Sequence, residues 1–85
     1  MTAQQWFVYM VQCADNSLYT GITTDTERRL HEHNNDNKKG ARYTKVRRPV
    51  ALVYHEASAS RSDASKREAA IKKLSRKQKL KLIEV

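Results

Sequence analysis

Cysteine occurs once in the 85 residues, at Cys13, so the chain can form neither an internal disulfide nor a zinc site built from several thiolates. A lone thiol fits a reducing compartment, and Cys13 is expected to fill core space. Long apolar runs are also missing. The stretch at residues 6 to 11 falls far short of the ~20 residues that span a bilayer. No basic segment or small-residue cleavage site precedes it, which predicts a cytoplasmic protein with no membrane partner. No repeat, low-complexity tract or linker divides residues 1 to 85, which are expected to form one domain. Acidic side chains are scarce as well: 9 stand against 17 Lys and Arg, for a formal net charge of +8. Such a surface suits a polyanionic partner, with simple solubility as the plain alternative.

The basic charge is unevenly spread. Residues 1 to 37 carry two basic and five acidic side chains, and so are mildly acidic. Residues 38 to 48 hold Lys38, Lys39, Arg42, Lys45, Arg47 and Arg48 without one acid, and residues 61 to 85 hold nine basic against three acidic groups. These six cations of the 38 to 48 segment are the candidates for tracking a nucleic-acid phosphate backbone.

Residues 6 to 13, rich in β-branched and aromatic side chains, and residues 18 to 23 flank the turn-forming Ala14-Asp15-Asn16-Ser17, which predicts a β-hairpin. Thr24-Asp25-Thr26-Glu27 has the pattern of a capping box and predicts a helix over about 25 to 34. A polar loop runs from Asn34 to Pro49. The near-continuous apolar start of residues 50 to 57 then predicts a third strand, central in the sheet and buried on both faces. Ser60 or Ser62 can cap a helix through Leu74 with an apolar stripe of Ala64, Ala70, Ile71 and Leu74. Ser75 can cap a short last helix anchored by Leu80, Leu82 and Ile83. The order read from the residues is β-β-α-β-α-α, an α+β fold.

Tyr9 and Tyr19 lie on consecutive strands, and loop parity decides whether they share a face. A two-residue loop separates them; a three-residue loop, with Asn16 at positive φ, pairs residue 19 with 11 or 13 and puts both phenols on one side, and this odd loop is the expectation. On the first helix, Arg29 and His33 are four residues apart and so project from the face that also carries Leu30. Glu68 borders the Ala64 and Ile71 stripe. Each has an ordinary reading beside the functional one: strand aromatics that pack, a histidine satisfied in place, and a helical ion pair from Glu68 to Lys72 at i+4.

Phe7-Val8-Tyr9, then Tyr19-Thr20-Gly21, then residues 27 to 34 (Glu-Arg-Arg-Leu-His-Glu-His-Asn) and Gly40-Ala41-Arg42-Tyr43-Thr44 together resemble the GIY-YIG nuclease superfamily. The stretch from Arg67 to Leu80 is similar to that of its short stand-alone bacterial members, of the YhbQ-like kind. The resemblance implies a three-stranded antiparallel sheet flanked by helices, in agreement with the order above. It places Tyr9, Tyr19, Arg29, His33 and Glu68 at the family's active-site positions. The first motif begins with Phe7 in place of glycine, and Thr20 stands where isoleucine is usual. Leu80 stands near a position where some members carry asparagine.

The chemistry this implies is metal-dependent hydrolysis of a phosphodiester, which needs a nucleophilic water, charge relief on the phosphate and stabilisation of the leaving oxygen. Glu68 would hold one Mg²⁺ or Mn²⁺, with water and phosphate oxygens completing the shell. Arg29 would meet the phosphoryl group with its donor fork. Tyr9, or else Tyr19, would serve as base, with the other tyrosine and His33 positioning or relaying protons, and Arg29 and the metal would have to lower the phenol from its ordinary value near 10. The expected partner is nucleic acid, DNA before RNA, selected by its structure or through a protein partner, by a monomer or weak dimer. The competing reading is a non-catalytic nucleic-acid-binding module on the same fold.

Overall fold

The computed structural model of the chain describes residues 4–84. Strand β1 (Trp6–Gln12) and strand β2 (Leu18–Thr23) form the expected hairpin. Its turn closes with Cys13 N–H donating to the Ser17 carbonyl at 2.8 Å and Asn16 N–H to the Cys13 carbonyl at 2.9 Å. Asn16 sits at φ 68°, a left-handed conformation that asparagine tolerates better than most residues. The resulting odd loop sets Tyr19 opposite Val11 and Gly21 opposite Tyr9.

Helix α1 (Thr26–Asn35) follows, then a single helical turn α2 (Arg42–Lys45), strand β3 (Ala51–Ser58), helix α3 (Arg61–Lys72) and helix α4 (Arg76–Glu84). The sheet order is β2-β1-β3, antiparallel throughout. The third strand therefore lies at an edge, and β1 is the central one, contrary to the expectation for residues 50 to 57. The four consecutive buried residues Val8, Tyr9, Met10 and Val11 are the signature of two-sided burial. In β3 the apolar run has another origin: a bulge opposite Met10 and Val11 pairs Tyr54 with Met10 and Leu52 with Val11, leaving Val53 as the extra residue. The bulge sends Leu52 and Tyr54 to opposite faces despite their even spacing.

Two cores result, one on each side of β1. Val8 and Met10 pack with Ala64 and Ile71, joined by Trp6, Ile22, Val53, Tyr54, Leu82 and Ile83. Tyr9 and Val11 pack with Cys13 and Val50, joined by Tyr19, Leu30 and Leu52. Helix α3 packs against β2 and β1 on the first side, and α1 packs against β1 and β3 on the second.

Capping is done by other atoms than the sequence pattern suggests. Asp25, not Thr24, caps α1, its carboxylate accepting from Arg28 N–H at 3.0 Å. Thr24 instead accepts from the Arg28 guanidinium. Ser60 caps α3 through Asp63 N–H, and Ser75 and Gln78 exchange reciprocal bonds at the start of α4. Ala70 and Leu80 point outward rather than into the core. Among the described residues no helix is long and apolar enough to cross a membrane.

Candidate active site

The face of β1 that looks toward α1 gathers four of the five candidate residues. Tyr9 is 2 % exposed, and its hydroxyl lies 2.7 Å from His33 Nε2. Its ring covers Gly21 of the neighbouring strand so closely that a Cβ there would stand 2.5 Å from the phenol oxygen. The glycine of the second motif thus makes room for the tyrosine of the first. Tyr19 meets the His33 ring edge-on at 5.4 Å between centroids. Arg29, one turn before His33 on α1, bonds through Nη1 to Glu32 at 3.0 Å and to the Lys39 carbonyl at 2.6 Å, and its positive charge acts on the Tyr9 phenol.

His33 has no exposed surface, and its second nitrogen, Nδ1, lies 2.8 Å from the hydroxyl of Thr44, which is also fully buried. Thr44 comes from α2, a turn too short to show any periodicity in the sequence. The neighbouring Tyr43 stacks on Tyr19 at 5.9 Å, and the Arg47 guanidinium covers the Tyr43 ring at 3.9 Å. Gly40 permits the approach of this segment to α1, since a Cβ there would meet the Asp36 and Glu32 carbonyls at 2.6 and 2.8 Å.

Glu68 reaches the site from elsewhere. It belongs to α3, on the other side of the sheet, but α3 packs against β2, the strand over which the Tyr9 ring lies. Its carboxylate is near enough to act on the phenol by its charge. It is partly exposed and pairs with Lys72 Nζ at 3.5 Å, so the ordinary helical ion pair is present. No group of three or more His, Cys, Asp or Glu side chains able to hold a metal occurs among the described residues. A single carboxylate beside open space fits a hard cation that takes most of its ligands from water and substrate, not one that demands a protein cage. A shallow concavity on α3, lined by Arg61, Ser62, Ser65, Lys66 and Ala69, shares no residue with this site.

The electrostatics depart from the expectation for Tyr9. Burial pushes its phenol up to about 12, and the nearby Arg29 only partly opposes this, while Tyr19 and Glu68 push it further up. Burial also holds His33 down to about 4, helped by the Arg29 and Arg48 charges and resisted by Glu32. Arg29 is lifted above its ordinary range: burial opposes its charge, but bonds to Tyr9 and Glu32 outweigh that. At neutral pH the resting site is a neutral phenol and a neutral imidazole beside a fixed cation.

The cations of the 38 to 48 segment divide into two groups. Arg48 donates to the His33 carbonyl at 2.6 Å, the Asp36 carbonyl at 3.1 Å and the Asn37 side chain at 3.0 Å, closing the end of α1. Arg47 is held by Asp15 at 3.1 Å and by the Tyr43 carbonyl, and Lys45 reaches the Asn37 carbonyl at 3.1 Å. Lys38, Lys39 and Arg42 are exposed, and their side chains have no partner among the described hydrogen bonds and ion pairs. Sequence gave no means of separating the two groups, because Arg48 is held mainly by backbone carbonyls.

Comparison with known proteins shows the family to which this fold belongs. Residues 5–81 match the model of the GIY-YIG catalytic domain, and the chain belongs to the GIY-YIG family. It is 63 % identical over 78 residues to a UPF0213 protein of Desulfotalea psychrophila, covering 92 % of this chain and 70 % of that one. A UPF0213 protein of Staphylococcus haemolyticus is 59 % identical over 78 residues, covering 92 % and 93 %. Among solved structures, the solution structure of an E. faecalis protein superposes with a TM-score of 0.65 at 45 % identity, covering 98 % of this chain and 86 % of that one. A UPF0213 protein of Bacillus halodurans gives 0.59 at 41 % identity, covering 94 % and 83 %.

Proposed function

We propose that the chain is a nuclease that hydrolyses phosphodiester bonds of nucleic acid with one divalent cation held by Glu68. The observation that carries this reading is the meeting of Tyr9, His33 and Arg29 on one face of the sheet, with the charge of Glu68 acting on the same phenol. A bound Mg²⁺ or Mn²⁺ would supply charge relief on the phosphate and at the leaving oxygen. Arg29, anchored through Nη1, keeps Nε and Nη2 for the phenol and for a phosphate oxygen. Tyr9 orients the attacking water at its hydroxyl oxygen. As the water oxygen bonds to phosphorus, its proton passes to Tyr9 Oη and the phenol proton moves to His33 Nε2, whose low affinity for a proton the negative charge of the bound phosphate would raise. A phenol pushed up to about 12 is a poor acid but a strong base once it has given up its proton.

The substrate is DNA, selected by structure in repair or processing, in the cytoplasm, with a protein partner adding specificity. Lys38, Lys39 and Arg42 are the cations placed to track its backbone. The non-catalytic binding module is the second reading, favoured by the Glu68–Lys72 pair and by the raised phenol.

Wild type and Glu68→Ala are compared on labelled single-stranded, duplex and branched DNA and on RNA, each with Mg²⁺, Mn²⁺ or EDTA. Metal-dependent cleavage that disappears in Glu68→Ala, with the melting temperature unchanged, is the expected result. Equal binding by both proteins without cleavage of any substrate rejects the nuclease in favour of the binding module.

A further inference from the structure

The hydrogen bonds of His33 extend past the five candidate residues to a sixth, Thr44. His33 is sealed from solvent, so each ring nitrogen must be satisfied by its observed neighbour: Tyr9 Oη at 2.7 Å from Nε2, and Thr44 Oγ1 at 2.8 Å from Nδ1. A neutral imidazole carries one N–H and one bare nitrogen, and the partners decide which is which. Thr44 has a single hydroxyl proton, and its oxygen also lies 3.0 Å from the Ala41 carbonyl, a group that can only accept. The same carbonyl takes Lys45 N–H at 2.9 Å, which leaves its second lone pair for the hydroxyl.

If Thr44 donates to Ala41, it accepts from Nδ1–H, and Nε2 is bare and accepts from the Tyr9 phenol. Every group in the chain is then satisfied. In the reverse arrangement Thr44 donates to Nδ1, setting two lone pairs against each other at 3.0 Å. Nε2–H then points at the phenol oxygen, and the phenol proton has no acceptor among these partners.

We infer that Thr44 is a positioning residue that fixes His33 in the Nδ1–H tautomer, so that bare Nε2 faces the Tyr9 phenol and can receive its proton. The hydroxyl acts through the imidazole and does not touch substrate. The direction of the proton path follows: outward water to Tyr9, Tyr9 to His33, with Thr44 steadying the imidazolium that forms by accepting from Nδ1–H. The kinetic consequence rests on the nuclease reading; the tautomer does not.

The test uses the full chain, labelled with ¹⁵N, and reads the His33 tautomer from long-range proton–nitrogen spectra in wild type, Thr44→Ser and Thr44→Val. The Nδ1–H form is expected in wild type and in Thr44→Ser. In Thr44→Val, which keeps the shape but removes the hydroxyl, Nδ1–H would be an orphaned buried donor, so the ring shifts to Nε2–H. Cleavage is expected to persist in Thr44→Ser and to lose roughly 10²-fold or more in kcat in Thr44→Val with KM little changed. An Nε2–H ring in wild type overturns the inference, as does an Nδ1–H ring in Thr44→Val. The wild-type spectrum decides even where the valine variant does not fold. Should no form of the protein cleave any substrate while the tautomers behave as stated, the nuclease reading fails and the role of Thr44 in ordering the ring stands.

Discussion

Gly21 and the Tyr9 ring compete for one volume, and the chain resolves the competition by omitting a side chain. Gly21→Ala must push the phenol aside, away from His33 Nε2, and overpacking of this kind costs roughly 1–3 kcal/mol. The expected outcome is a lower urea midpoint together with loss of cleavage; a variant as active as wild type would mean that the Tyr9–His33 contact is dispensable. Thr20, on the other face of β2, presents the opposite case. Its hydroxyl is buried and bonded to nothing in the described structure. Thr20→Val removes an unsatisfied polar atom without changing shape, so stability should stay level or rise by about 1 kcal/mol in urea melts. A clear fall would show that the hydroxyl has a partner. At this scale the sequence was partly legible. The resemblance to the GIY-YIG superfamily pointed to Tyr9, Tyr19, Arg29, His33 and Glu68, and the tolerance of Asn16 for positive φ indicated the hairpin parity that brings the tyrosines together. Thr44 stands in the last of the motifs, but nothing in a threonine announces a buried hydroxyl facing an imidazole 11 residues away.

Elements are placed by ties that run between distant segments. Arg48 and Asn34 do this for the long connection between α1 and β3: Arg48 closes the end of α1, while Asn34 exchanges bonds with both backbone groups of Val50 at 2.9 and 2.8 Å. Removing the half-buried guanidinium in Arg48→Ala leaves carbonyls without a donor and should cost roughly 2–3 kcal/mol by denaturant unfolding. Lys38→Gln and Lys39→Gln, in the same basic segment, should leave the unfolding midpoint in place and each lower the salt slope of nucleic-acid binding by about 1. Equal effects of all three substitutions on stability would erase the division between structural and free cations. The position of β3 was misread for a physical reason: four apolar residues in a row look like two-sided burial, and a bulge produces the same string by turning one strand from face to face. The four-residue α2 was invisible because a single turn has no period to detect.

At the scale of the molecule, a buried neutral histidine makes stability depend on pH. His33 is held down to about 4 in the fold against an ordinary 6.5, so between these values the unfolded chain binds a proton that the folded chain refuses. The stability associated with neutral His33 is complete above pH 6.5 and is lost as pH falls toward 4, to an extent of roughly 3 kcal/mol. Melting temperatures should therefore drop from pH 7.5 to pH 4.5, and His33→Gln should flatten the drop; parallel curves would place its origin elsewhere. The sheet order has a different kind of consequence, one of timing. The central strand and its hairpin partner β2 are synthesised close together, yet its second neighbour, β3, follows some forty residues after β1 in the sequence. A nascent chain can close the hairpin early, but β1 must wait with one edge unpaired until that neighbour emerges. Glu68 is translated later still. On the proposed mechanism, the proton-handling half of the site is thus assembled from sequence made before the carboxylate exists, and a ribosome stalled ahead of α3 would hold a polypeptide with the tyrosines and the histidine but without the metal ligand that mechanism requires.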